Sequence, residues 1–172
     1  LTKYVGAEKE PTLSKIGGKD FERIKERVKS SLRELTVNLK KLYSDRQKRI
    51  GYVFEEDEGA QKAFELACGF EDTPDQITAT EDVKKDMTSS KVMDRLICGD
   101  VGFGKTEIAF RAIFRAVNNG KQAVLLAPTT ILAEQHYNNA LERFKGFGVK
   151  IESLDRFKSV KEQQKVLSKL KS

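Results

Sequence analysis

Tryptophan is missing from this chain, and histidine, cysteine, methionine and proline are scarce: one, two, two and three in 172 residues. The two cysteines, Cys68 and Cys98, are too few and too far apart for a disulfide framework or a metal knuckle. The single histidine, His136, has no Cys, Asp or Glu at ligand spacing and reads as structural. Long apolar runs are also missing. The longest, residues 123–127, falls far short of the ~20 residues that a membrane span needs. No apolar segment of signal-peptide type follows the first five residues. These shortages exclude secreted, membrane-spanning and zinc-finger classes. The expectation they leave is a soluble protein of the reducing cytoplasm, with no membrane partner.

Charge, by contrast, is abundant. Charged residues make up 34% of the chain and apolar ones only 38%, against roughly 25% charged in an average globular domain. Much of the molecule must therefore be solvated helix surface. The charge is also segregated. Residues 1–50 carry 14 basic and 7 acidic side chains, residues 51–100 carry 5 and 13, and residues 101–172 carry 13 and 6. This basic, acidic, basic order suggests functional stretches in place of one uniformly basic nucleic-acid binder.

Residues 1–19 hold Gly6, Pro11, Gly17 and Gly18 with little periodicity and read as an extended lead-in. Phe21, Ile24, Val28, Leu32, Leu35, Leu39 and Leu42 then recur at spacings of three and four. That pattern predicts a long basic helix over 20–52, with Asp20 as its cap, one narrow apolar stripe and the role of a linker. Residues 53–90 form an acidic helical stretch, in which Thr73 and Pro74 mark the start of a helix.

From residue 91 the rhythm changes. Strands are predicted over 93–98, 122–127 and 149–154, alternating with helices over 105–118, 131–144 and 160–170. This order predicts an α/β domain over 91–172 with an incomplete parallel sheet of about three strands. Cys98 ends the first strand and reads as a small buried residue.

The sharpest local signal is Gly99-Asp100-Val101-Gly102-Phe103-Gly104-Lys105-Thr106. It matches G-x-x-x-x-G-K-[ST] in full, after an expected strand and at the opening of an expected helix. Glycines there let backbone N–H groups curl around phosphate oxygens. Lys105 is positioned to reach the β- and γ-phosphates, and Thr106 to hold Mg²⁺. Upstream, the Phe70 ring and the Gln76 carboxamide suit a purine, one by stacking and the other by reading an adenine edge. Downstream, Thr129 and Thr130 sit at a strand end and helix start, where their hydroxyls can cap the helix, bind a nucleic-acid phosphate, or do both.

Together these three stretches resemble the Q motif, motif I and motif Ia of superfamily 2 helicases and translocases. Residues 93–107, Arg156-Phe157 with Lys161-Glu162-Gln163, and the lead-in elements Lys3-Tyr4-Val5-Gly6 and Leu13-Ser14-Lys15-Ile16-Gly17-Gly18 resemble the bacterial transcription-repair coupling factors. That likeness runs over essentially the whole chain. RecG-type branch-migrating helicases share a similar phosphate loop and a similar 127–136 stretch, and are the alternative.

The resemblance implies a partial RecA-like P-loop domain that uses ATP and Mg. It implies a motor on double-stranded DNA that displaces stalled RNA polymerase and recruits excision-repair proteins. A polymerase-binding domain is then expected just before Leu1, with the long helix as a strut. The Asp-Glu box, the later motor motifs and the second RecA-like lobe are expected after Ser172. No Asp-Glu pair follows residue 130, and loss of an arginine finger alone costs about 10³–10⁵ in rate. Negligible ATP turnover by this chain is therefore expected. A non-catalytic interaction module and a self-sufficient P-loop kinase are the other classes, and no acceptor-site or lid signal supports the kinase.

Overall fold

The computed structural model describes residues 19–56 and 58–171. The chain divides into two units, Leu1–Arg49 and Ile50–Ser172. Residues 1–18 of the expected lead-in lie outside the described residues.

The first unit is α1, Lys19–Gln47, 29 residues long, or about 44 Å at 1.5 Å per residue. Asp20 lies inside its first turn, with Glu22. It is therefore not the cap, and both acids face the positive end of the helix dipole. The apolar stripe is present along the helix, yet none of its residues is buried. The helix stops at Gln47, short of residue 52.

The second unit contains α2 (Glu58–Leu66), α3 (Pro74–Met87), α4 (Lys105–Asn118), α5 (Thr130–Arg143) and α6 (Val160–Lys171). Each has a sequence reason. Thr73 caps α3 through a full capping box with Gln76, with Pro74 at the first position. Ser159, just before α6, donates its hydroxyl to Glu162 in the first turn of that helix. At the end of α4, Gly120 turns left-handed at φ 71, and Lys121 N–H donates to the Ala116 carbonyl at 3.0 Å.

α4 organises the core because it is apolar on two opposite faces. Phe110 and Phe114 project to one side and join Phe64 of α2, Ala140 of α5 and Phe144. Ile108 projects to the other and joins Val83 and Met87 of α3, with Ala112 and Ala116 packed alongside. Residues two apart in a helix diverge by about 200°, so this division follows from the 3.6-residue period. The Phe64 and Phe114 rings stack at 4.3 Å, and Phe147 meets both edge-on at 5.1 and 5.3 Å. Each buried Phe contributes about 1.5–3 kcal/mol.

The predicted three-stranded parallel sheet is not formed among the described residues. Residues 93–98, 122–127 and 149–154 carry no strand pairing, and the one bridge is antiparallel, between Ile50 and Lys91. The physical reason is that composition marks a segment as strand-prone, whereas a strand exists only when a neighbour takes its N–H and C=O groups. Here Leu96, Val124 and Leu126 are 85%, 77% and 91% exposed, and only Ile97, Val149 and Ile151 of these segments pack partly against the helical clusters. Cys98, expected to be buried, is exposed for the same reason.

Segment 93–98 is nonetheless held at α3. Arg95 donates to Asp86 at 2.5 Å and to Asp82 at 3.0 Å, and these two acids lie one turn apart on the helix. Nearby, Gly51 N–H donates to the Ser90 carbonyl at 2.8 Å. A Cβ at Gly51 would stand 2.9 Å from the Lys91 carbonyl oxygen, so the two backbones meet this closely only with glycine there.

Candidate nucleotide site

The loop before α4 takes the shape its glycines allow. Gly102 and Gly104 have φ values of 89 and 72, a region that side chains with a Cβ rarely enter. Gly104 is the N-cap of α4 and offers no side-chain bond to the first turn. The first-turn N–H groups of a helix have no intrahelical acceptors. Here they open directly at Lys105 and Thr106, which are the first two residues of α4. Glycine turns, free amides and a helix dipole together make a cradle for an anion.

Lys105 does not extend from this loop. Its Nζ donates to the carbonyl oxygens of Gly99 at 2.6 Å and Asp100 at 2.5 Å. Those carbonyls hold the ammonium at the loop, where a phosphate would compete for it. Val101 and Phe103 are 98% and 62% exposed. Both present backbone to the site, and neither contributes a packed side chain.

Gln76 touches the same loop. Its amide Nε2 donates to the Phe103 carbonyl at 3.0 Å, while its Oε1 accepts from Thr73 N–H at 2.9 Å. A Cβ at Gly104 would collide with this amide group. Gln76 therefore has three jobs on offer: closing the capping box of α3, gripping the phosphate loop, and facing a base. Phe70, its expected stacking partner, is 85% exposed and free of the core.

Four charged residues to which the sequence assigns no role link α4 to the segment before α3 and to α5. Arg111, one turn beyond Glu107 on α4, is 4% exposed. Its guanidinium makes a two-pronged pair with Asp72, 2.8 Å on each arm, and its Nε donates to Glu107 at 3.1 Å. Glu107 also accepts two bonds from Arg143 of α5, at 2.6 and 2.8 Å. Arg143 in turn donates to the Phe64 carbonyl at 2.7 Å and lies 3.8 Å from the centroid of that ring.

Burial alone would raise the pKa of Glu107. The bonds from Arg143 and Arg111 outweigh it and hold the carboxylate below its ordinary range. Burial would likewise depress Arg111, but Asp72 and Glu107 raise it instead, so it stays charged. The four-residue spacing of Glu107 and Arg111 was visible as a helical ion pair. Nothing local pointed to Asp72 or Arg143, which are 39 and 36 residues from their partners.

Thr129 caps α5, its hydroxyl accepting from Leu132 N–H at 3.3 Å. Thr130 is the first residue of that helix. The end of α5 carrying these hydroxyls is the opposite end from Arg143.

The phosphate loop, the capping-box Gln76 and the helix that starts at Thr130 lie within a region, residues 73–172, that matches the DEAD/DEAH box helicase family, and the chain belongs to that family. Its relatives narrow the likeness. It is 46% identical over 173 residues to the transcription-repair-coupling factor of Bacillus subtilis (strain 168), and 47% identical over the same length to that of Borreliella burgdorferi. In both cases all of this chain aligns with 15% of the relative, so the chain spans about 15% of the length of these curated relatives. Among solved structures it is similar to RecG bound to a three-way DNA junction, with a TM-score of 0.72 and 32% identity, covering 88% of this chain and 21% of that one. This likeness extends to the RecA-type part of a helicase, although the sheet itself is unpaired among the described residues. No helix of the described residues is long and apolar enough to cross a membrane.

Proposed function

We propose that this chain is the nucleotide-binding part of a superfamily 2 translocase that moves on double-stranded DNA, and that its parent activity is the displacement of stalled RNA polymerase with recruitment of excision-repair proteins in the cytoplasm. The observation that carries the reading is the phosphate loop. Two left-handed glycines deliver Lys105 and the open end of α4 to one place, beside Gln76.

The residues present fit ATP and Mg²⁺, since Gly102 and Gly104 hold left-handed turns that a Cβ disfavours and a lysine and a threonine open the helix that follows them. Residues 99–104 would surround the phosphates with backbone N–H groups, and Lys105 would exchange its two carbonyl partners for phosphate oxygens. The Thr106 hydroxyl would hold Mg²⁺, which neutralises phosphate charge when bound. Phe70 and Gln76 would take the base. Thr129 and Thr130, with the amides of the first turn of α5, would take a DNA phosphate. Residues 20–52 would serve as the linker to a polymerase-binding part, residues 53–90 as the base-side element, and residues 91–172 as the partial motor domain.

With no Asp-Glu box among residues 131–172, the chain would bind nucleotide without turning it over. The transcription-repair reading is favoured over a RecG-like one because the relatives at 46–47% identity cover the whole chain.

Titration with ATP and ADP, wild type against Lys105→Ala, with phosphate release followed in the same samples, tests this. Binding lost in the variant, without release in either protein, is the expected result. A wild-type chain that binds neither nucleotide overturns the proposal.

A further inference from the structure

Base selectivity requires that the element reading the base stay at a fixed distance from the element holding the phosphates. In this chain the two are far apart in sequence. The base-side segment is residues 70–76, a loop that runs into the first turn of α3 at Pro74, and the phosphate helix begins at Lys105. That loop has little packing of its own, since Phe70 is 85% exposed and Asp72 keeps 30% of its side chain in solvent.

Two polar tethers hold it. At its far end Gln76 grips the Phe103 carbonyl. Near its start Asp72 receives both terminal nitrogens of Arg111 at 2.8 Å. The second tether is the stiffer, because a planar fork meets a planar carboxylate with both bonds parallel. Its donor is also fixed before any ligand arrives. Arg111 is buried, its Nε is engaged by Glu107, and Thr80 Oγ1 lies 3.4 Å from its Nη1. Glu107 is held in turn by Arg143.

We propose that Arg111 is a positioning residue for base selectivity: through Asp72 it fixes the Phe70–Gln76 loop to the phosphate helix, so that adenine is distinguished from other bases. This rests on the nucleotide-site reading above. The Arg111 side chain bonds Asp72, Glu107 and Thr80, so its role runs through Asp72. Its loss should therefore cost the base-dependent part of affinity and spare the phosphate-dependent part, whereas a general loosening of the fold would lower both.

The test is competition binding of ADP, GDP and inorganic tripolyphosphate to the wild type, Arg111→Gln, Asp72→Asn and the double variant. Asp72→Asn approaches the pair from its exposed side, so it reports even where the buried substitution compromises folding. In each single variant ADP affinity should fall about tenfold, equivalent to ~1.4 kcal/mol. Tripolyphosphate affinity should stay within about twofold, and the ADP-to-GDP preference should shrink toward unity. The double variant should be no worse than either single one, because the pair acts as a unit.

Parallel losses of ADP and tripolyphosphate, or unchanged ADP affinity in Asp72→Asn, would overturn the assignment. A wild type that binds tripolyphosphate and ADP but shows no preference over GDP also overturns it, while leaving the nucleotide site standing. A wild type that binds none of the three removes the site itself, and this proposal with it.

Discussion

The Nζ of Lys105 lies 2.6 Å from the carbonyl oxygen of Gly99, six residues back along the same loop. The lysine expected to reach for phosphate is thus bonded to its own backbone. Lys105→Ala removes the proposed phosphate contact and two loop contacts together, and its half-buried side chain belongs to neither core cluster. Nucleotide affinity should fall at least tenfold, while the thermal unfolding midpoint moves by no more than about 2 °C, as expected for a change within ±0.5 kcal/mol. Calorimetric titration and a melting curve on the same preparation check both halves.

Gly104→Ala should be harsher than its size suggests. The new methyl must sit at φ 72 and collide with the Gln76 amide. The expected result is a loss of about 1–2 kcal/mol in urea unfolding together with nucleotide affinity too weak to measure. Stability equal to wild type would show that the loop has a second conformation open to a side chain.

Acid should weaken the second unit in a definite window. Glu107 has a folded pKa below its ordinary value, as does Asp86 through its bond from Arg95. A depressed carboxylate contributes stability that is fully present above its unfolded pKa of about 4 and is lost as pH falls through the folded value. Urea midpoints should therefore be flat from about pH 8 to 5 and decline below that. Glu107→Gln should cost roughly 2 kcal/mol at pH 7, and its deficit should narrow as the pH drops. A deficit that stays constant with pH would mean that the carboxylate charge is not what Arg111 and Arg143 need.

Thr129 and Thr130 can be separated by experiment although they are neighbours. Thr129 is the cap of α5, so Thr129→Ala should lose about 1 kcal/mol of stability, and Thr130→Ala should lose little. If both hydroxyls meet a DNA phosphate, each substitution also weakens double-stranded DNA binding, and that binding should itself fall steeply with salt. Binding that is flat between 50 and 200 mM salt would remove the phosphate contacts.

How far the sequence reveals this molecule depends on the reach of each interaction. Features that depend on residues within a few positions were legible. The Thr73–Pro74 start of α3, the glycine turn into Lys105 and the Gly120 stop of α4 each act over one helical turn, whereas the capping-box role of Gln76 emerges only from the structure. The unpaired segments 93–98, 122–127 and 149–154 show the opposite case. Their composition was read correctly as apolar, but pairing belongs to two segments at once and cannot be read from either alone. The Asp72–Arg111 and Glu107–Arg143 pairs were missed for a related reason. One member of each lies in a stretch dense with other charges, and only the packing of α4 against α3 and α5 selects the partner.

Arg143 reaches back 79 residues to the Phe64 carbonyl and covers that ring, and the order of assembly follows from it. Phe64 is fully buried, and the rings that cover it come from α4, from the end of α5 and from the turn after it. During synthesis α2 therefore leaves the ribosome long before anything exists to cover its central side chain. Contacts of such sequence separation are slow to form, because a long loop must close before they reward it. The phenylalanine cluster of the second unit should consequently form late and in one step, when residues 143–147 emerge, after the Val83–Met87–Ile108 cluster that α3 and α4 complete by themselves, and a nascent chain halted before Arg143 should be cut by protease at α2 while a longer one resists.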